Sequence, residues 1–232
     1  MQTVVANNDS FAVKSGGHNP NKDFASIAGG PLISTSGLNE VIYDAASGTV
    51  RVGPGNKWED VHEVLEPLGV TVVGGRIGNV GVGGYILGAG LSFLSTQYGW
   101  AANNLVSAEM VLPNGTIITA SNTTNTDVFE AIKGGGSNFG IVTTYVLQAH
   151  PIGQIWGGNL AFFGAQKTDG ILSAVRNFTE HYDDPKAAII ATTELTLGNS
   201  TDLWILFLFY DGPEPPEGVF DEFLALKPDV NS

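Results

Sequence analysis

The chain has 232 residues, of which 31 are glycine and none is cysteine, and it carries a formal net charge of −13. Without cysteine there is no disulfide, no thiolate nucleophile and no thiolate metal site. So acidic a chain lacks the basic footprint of a nucleic-acid binder and is not drawn to anionic membranes.

In chain order, Phe11 to Lys14 predicts a short strand and Leu32 to Thr35 a second. Val41–Asp44 and Thr49–Val52 flank Ala46-Ser-Gly48, a hairpin signal. Lys57 to Leu68 predicts a helix, because Trp58, Val61, Val64, Leu65 and Leu68 fall at helical spacing. Asn56 with Glu59 offers a capping-box start and Gly69 a stop. A strand over Val70–Val73 leads to a glycine-rich loop. Glu109–Leu112 and Thr116–Ala120 flank Pro113-Asn-Gly115, a second hairpin. Asp127 to Lys133 predicts a short helix and Gly140 to Ala149 a strand ended by Pro151. Beyond it the glycine motifs stop and strands (157–163, 188–197, 202–210) alternate with helices (170–181, 217–226). This places a domain boundary at residue 152 and an α+β class.

The opening ten residues lack the basic and apolar regions of a signal peptide. No apolar run approaches membrane-spanning length. Sequons at Asn8, Asn114, Asn122, Asn177 and Asn199 make a glycoprotein the expectation and leave localisation open.

The glycines concentrate where chemistry is expected. Lys14-Ser-Gly-Gly-His-Asn19 and, about sixty residues on, Gly81-Val-Gly-Gly-Tyr-Ile-Leu-Gly-Ala-Gly90 are two loops whose amides can approach an anion closely. With a histidine inside the first, they suggest a cradle for a large phosphorylated cofactor. The spacing is not the G-x-G-x-x-G of a nicotinamide site, and Gly134-Gly-Gly136 lacks the Lys-Ser/Thr of a P-loop. Gly90-Leu-Ser-Phe-Leu94 lacks the second glycine of a nucleophile elbow. His18, His62, His150 and His181 form no pair at metal-ligand spacing, and His62 reads as structural.

Four blocks in order carry a family resemblance. They are Phe11–Asn19, Val80–Gly84 with Gly88-Ala-Gly90, Tyr98–Val111, and Asp127–Val142. In these the chain resembles the vanillyl-alcohol-oxidase flavoproteins, in particular the berberine-bridge-enzyme-like branch with a PCMH-type FAD-binding domain. The resemblance implies such a domain over 1–152, incomplete at its N-terminus, followed by part of an α+β substrate domain over 153–232. Members of the family have a βαβ stretch before the first loop and continue well beyond a position matching residue 232.

The resemblance also implies roles. FAD would be bonded through His18, with Ile77 standing where some relatives have a second attachment cysteine. Ser15, Gly16, Gly17 and Asn19 from one side, and Gly81, Gly83 and Gly84 from the other, would offer amides to the pyrophosphate. Asn104 matches an Asp or Asn beside the flavin loop. Ile141 and Val142 match the strand lining the adenine and ring system. Lys133 reads as a solvated helix end. The implied activity is that of an oxidase-like FAD-dependent oxidoreductase, passing hydride from a small-molecule substrate to the flavin and on to dioxygen. Nothing selects a catalytic base, Tyr210 and Glu194 included. The alternative is a non-catalytic flavin-binding fragment or an apo chain.

Overall fold

The structure is a computed structural model that describes residues 1–22, 24–195 and 201–232. The chain divides into two compact units, Met1–Pro151 and Ile152–Ser232. The sequon at Asn199 and the last two residues of the strand expected over 188–197 lie outside the described residues.

Unit 1 begins with α1 (Gln2–Ala6), β1 (Ala12–Lys14) and β2 (Leu32–Ser34). β1 and β2 pair in parallel, with Val13 opposite Ile33. Next come β3 (Val41–Asp44), β4 (Thr49–Val52), α2 (Trp58–Leu65), β5 (Val70–Thr71), α3 (Val82–Leu87) and α4 (Ser95–Tyr98). The unit closes with β6 (Leu105–Val111), β7 (Ile117–Ser121), α5 (Thr126–Ile132), β8 (Ile141–Gln148) and β9 (His150–Pro151). Its main sheet has the order β3-β4-β8-β6-β7, antiparallel throughout. β8 is the central strand, and β9 continues the chain to pair with β5.

The core of this unit joins the sheet to α2, α3 and α5. Val50, Val52, Met110, Tyr145 and Leu147 of the sheet, Trp58, Val61 and Leu65 of α2, Ile86 of α3, and Phe129 and Ile132 of α5 are all buried. The buried stripe of α2 is narrower than its spacing predicts, since Val64 and Leu68 are exposed. The last turn tightens into a 3₁₀ segment (Glu66–Leu68), which Gly69 ends in the left-handed conformation at φ 67°. The cap lies one residue later than expected. Asp60 Oδ2 accepts the Lys57 N–H at 2.8 Å, while Asn56 is buried and donates to the Glu40 and Gly53 carbonyls.

The register of β8 against β6 is irregular. Glu109 of β6 faces Thr144 and Met110 faces Val142, so Thr143 is the extra residue of a β-bulge. A bulge resets the two-residue alternation. Val142 and Tyr145, three apart, therefore both point into the core.

Unit 2 contains β10 (Trp156–Phe163), α6 (Thr168–His181), β11 (Ala187–Leu195), β12 (Thr201–Tyr210), α7 (Asp221–Ala225) and β13 (Val230–Asn231). Its antiparallel sheet has the order β11-β12-β10-β13. Leu160 and Phe162 of β10 and Trp204, Leu206 and Leu208 of β12 pack against Ile171 and Ala174 of α6 and Phe223 of α7. Trp156 stacks on Phe220 at 5.4 Å, and Phe178 on Tyr182 at 5.1 Å. The helix expected over 217–226 is only the five residues of α7. The tail, which showed no strand pattern, supplies β13, with Val230 opposite Ala161.

Candidate functional site

Two chain segments meet backbone to backbone in unit 1. A Cβ built on Gly16 would lie 2.5 Å from Gly81 N, and one on Gly81 would lie 2.3 Å from Gly16 N. No side chain fits between the two main chains, so glycine is required at both positions. The surrounding groups fix this contact. Ser15 Oγ donates to the Pro54 carbonyl at 2.5 Å and accepts the Gly83 N–H at 3.2 Å. Tyr145 Oη, fully buried, donates to the Gly83 carbonyl at 3.0 Å. Val82 N–H donates to the Asn56 carbonyl at 3.0 Å.

The second glycine block is therefore not the open loop that its composition suggests. Gly81 precedes α3, and Gly83 and Gly84 lie in its first turn. Gly83 has its N–H engaged by Ser15, and a Cβ there would press on Ser15 and Pro54 at 3.1–3.3 Å. Its amide is thus occupied by the protein itself, a change from the expected ligand role. Gly84 differs: it is exposed, and an added Cβ would meet nothing within 4 Å. Gly17 adopts φ +73°, with the Lys14 stem running beside it.

These segments wall a cavity of about 830 Å³ within unit 1. Ser15, Gly16, Gly17, His18 and Asn19 line it with Gly81, Gly83 and Gly84, and β8 contributes Ile141, Val142 and Tyr145. Phe11, Phe24, Leu87 and Pro113 add apolar surface. His18 is exposed on this lining. Burial holds the Tyr145 hydroxyl well above the usual tyrosine range, so it stays a proton donor.

Ten of the eleven residues singled out in the sequence share this cavity; Asn104 does not. Asn104 is buried and acts as a strut. Its Nδ2 donates to the Tyr98 and Trp100 carbonyls, each at 2.9 Å, and its Oδ1 lies 2.8 Å from His150 Nε2. The His150 ring stacks on Tyr98 at 3.7 Å. Burial keeps the pKa of His150 below the usual imidazole range. Ile77 is 55% exposed and outside the cavity lining. Lys133 is more engaged than a solvated helix end: it sits 4.0 Å from the Phe129 ring centre and pairs with Glu130 at 3.2 Å. His62 packs beside Trp58, its pKa lowered by burial and partly restored by the Gly75 backbone and Glu66.

Sequence reasoning missed Tyr145, Pro54 and the apolar wall. Tyr145 faces inward two residues before Leu147, as plain alternation predicts, and the bulge at Thr143, which has no short-range signal, brings Val142 to the same side.

The cavity suits a large, partly flat, anionic cofactor. Its volume is within the usual range for such sites, about 300–1,000 Å³. Among the described lining residues there is no Lys or Arg, so negative charge must be met by backbone N–H groups and by Ser and Asn side chains. The family model described as FAD binding domain matches residues 1–121. The chain belongs to this FAD-binding family.

An uncharacterized FAD-linked oxidoreductase of Arthroderma benhamiae is 50% identical over 217 residues, which are 93% of this chain and 43% of that protein. The FAD-dependent monooxygenase drtC of Aspergillus calidoustus is 38% identical over 229 residues, 97% of this chain and 43% of its own length. The chain thus spans less than half the length of these curated relatives. Among solved structures, the berberine-bridge-enzyme-like protein 1 of Physcomitrella patens superposes with a TM-score of 0.85 at 22% identity, over 99% of this chain and 50% of that one. This likeness places the FAD-binding chain in the α+β fold of the PCMH-type flavoproteins.

Proposed function

We propose that this chain is the cofactor-holding part of an FAD-dependent oxidoreductase, with the FAD-binding domain over 1–152 and part of a substrate domain over 153–232. The carrying observation is the Gly16–Gly81 contact beside a cavity with His18 on its lining. Bound FAD supplies the two-electron redox chemistry. The chain's own residues hold and orient it. Ser15, Gly16, Gly17 and Asn19 form one wall and Gly81 and Gly84 the facing one, offering amides to the pyrophosphate without a cationic side chain. Gly83 serves indirectly, by closing the two walls together. Ile141, Val142 and the apolar residues beside them shield the flat parts of the cofactor from water.

His18 is the attachment point in this reading. Its imidazole nitrogen would hold the flavin, and with Ile77 in place of a thiol the attachment would be single. The chemistry the flavin would supply is the transfer of hydride from a small-molecule substrate, with dioxygen as final electron acceptor. The relatives' names, oxidoreductase and monooxygenase, support a redox role.

Acid precipitation of the purified protein tests the attachment. Yellow colour in the pellet is expected, with release into the supernatant for His18→Ala. Flavin that washes out of the unaltered protein would sink the covalent link while leaving the cofactor role standing. Protein purified without flavin, and unable to take it up, would sink the cofactor role itself.

A further inference from the structure

The peptide linking Gly83 to Gly84 is held in a way that the cofactor family does not by itself explain. Three contacts from distant parts of the chain converge on Gly83. Ser15 Oγ accepts its N–H, Tyr145 Oη donates to its carbonyl, and Pro54 stands where a Cβ built on it would meet it at 3.3 Å. Ser15 is held in turn by its bond to the Pro54 carbonyl. Tyr145 is fully buried and sits on the central strand of the sheet, so its ring has no freedom to follow a moving loop.

A peptide is planar and trans, so its C=O and the next N–H point in opposite directions. Fixing the Gly83 carbonyl on Tyr145 therefore fixes the direction of the Gly84 N–H. As a first-turn N–H of α3 it has no intrahelical acceptor, no other bond to it is seen among the described residues, and Gly84 is exposed on the cavity lining with room for a Cβ.

We infer that Tyr145 is a positioning residue for the cofactor cavity: its hydroxyl, with Ser15 Oγ at the other end of Gly83, aims the Gly84 amide at the cofactor. The inference rests on the FAD reading above and adds to it a residue that never needs to touch the flavin. A phenylalanine at 145 would keep the ring and the packing but release the first turn of α3 from its anchor on the central strand. The Gly83 carbonyl, which as part of α3 also accepts an intrahelical bond, would lose its second donor.

The test uses the purified protein in two backgrounds. In His18→Ala, where flavin exchanges, FAD affinity is measured with and without Tyr145→Phe. With His18 intact, the flavin content and the visible absorption bands of the bound flavin are compared for the same pair. We expect Tyr145→Phe to weaken FAD binding about tenfold and to alter the flavin band shape, which a loss of global stability alone would not do. The urea midpoint of the flavin-free protein is measured separately. Ser15→Ala acts on the other end of the same residue and is the second variant should Tyr145→Phe fold poorly. It is expected to weaken binding as well, and the double variant to lose less than the sum, because both act through one group. Equal affinity and an identical spectrum for Tyr145→Phe would overturn the inference, as would full additivity of the two variants. Absence of flavin from every one of these proteins, His18 intact included, would instead overturn the FAD reading on which it rests.

Discussion

The two units reach order by different means. Unit 2 is held by side chains: Phe162, Leu206, Ile171 and Phe223 fill the space between one sheet and two helices, and its aromatic rings stack on one another. Unit 1 has an apolar core too, but its working part is held by main chain against main chain. Gly16 lies on Gly81, and Ser15, Asn56 and Tyr145 each bond a carbonyl or amide of another segment. Side-chain packing gives a solid body that tolerates adjustment. Backbone contact gives a surface set to within tenths of an ångström, with no side chain available to absorb an error.

That difference predicts graded loss in one unit and abrupt loss in the other. The largest effect belongs to Phe162→Ala in unit 2, which should cost about 3–5 kcal/mol in urea unfolding. Phe162→Leu should recover most of it, since cores accept apolar residues of similar volume. Full loss in the leucine variant would erase the contrast. Next comes Gly81→Val in unit 1. Its Cβ would meet Gly16 backbone, which cannot step aside, and we expect a cost of about 3 kcal/mol together with loss of the cavity. Gly81→Ala should be nearly as damaging, because the clash begins at Cβ. An alanine variant of normal stability would show that the two segments do not need to touch.

Gly84→Ala sharpens the contrast from the other direction. The added methyl meets no protein atom, and alanine favours a helix over glycine, so the flavin-free protein should gain about 0.5–1 kcal/mol. The methyl would stand in the cavity, and FAD uptake should fall. Stability measured by urea unfolding and flavin content measured by absorbance should thus move in opposite directions. Movement in the same direction would show that Gly84 does not face the cofactor.

The smallest effect depends on pH. His62 and His150 titrate below the ordinary imidazole range when folded, because burial disfavours their charged forms. Unfolded, they bind protons more readily. Their contribution is complete above the ordinary histidine pKa near 6.5 and is lost as pH falls through the depressed folded values. Urea midpoints at pH 8, 6.5 and 5 should decline on the acid side. His62→Asn should flatten that decline, and an unchanged slope would remove His62 from the account.

Local patterns made much of the secondary structure legible. The Val41–Val52 hairpin was marked by turn chemistry, α2 by its apolar spacing and Gly69, and β8 by a β-branched run ending at Pro151. Errors arose where a distant contact overrode a local preference. Val64 has core spacing yet is 44% exposed. Gly83 and Gly84 have poor helix propensity yet lie in α3, where Asn56 and Ser15 accept the N–H groups of Val82 and Gly83 and Tyr145 bonds the Gly83 carbonyl. Gly83 carried the composition of a ligand loop, and only the position of Ser15, 68 residues away, shows that its N–H is already engaged. Tyr145 gave no sign of bonding Gly83, 62 residues away, and the β-bulge that turns Val142 to the same side is specified by the pairing of two strands and not by either one.

The closing of the cavity also has a consequence in time. Ser15 bonds Gly83 across 68 residues and Tyr145 bonds it across 62, and loops of such length close late because their entropy is lost before their contacts are gained. Helices such as α2 and hairpins such as β6–β7 can form long before. The cradle is therefore expected to assemble late, along with the still longer-range pairing of β4 with β8, and a newly made chain should pass through a stage with its helices and the β3–β4 and β6–β7 hairpins formed and no place for a cofactor. In refolding from urea with FAD present, far-ultraviolet ellipticity should recover before flavin fluorescence changes. Simultaneous recovery of the two signals would mean that the glycine segments meet early and that the sheet is built around them.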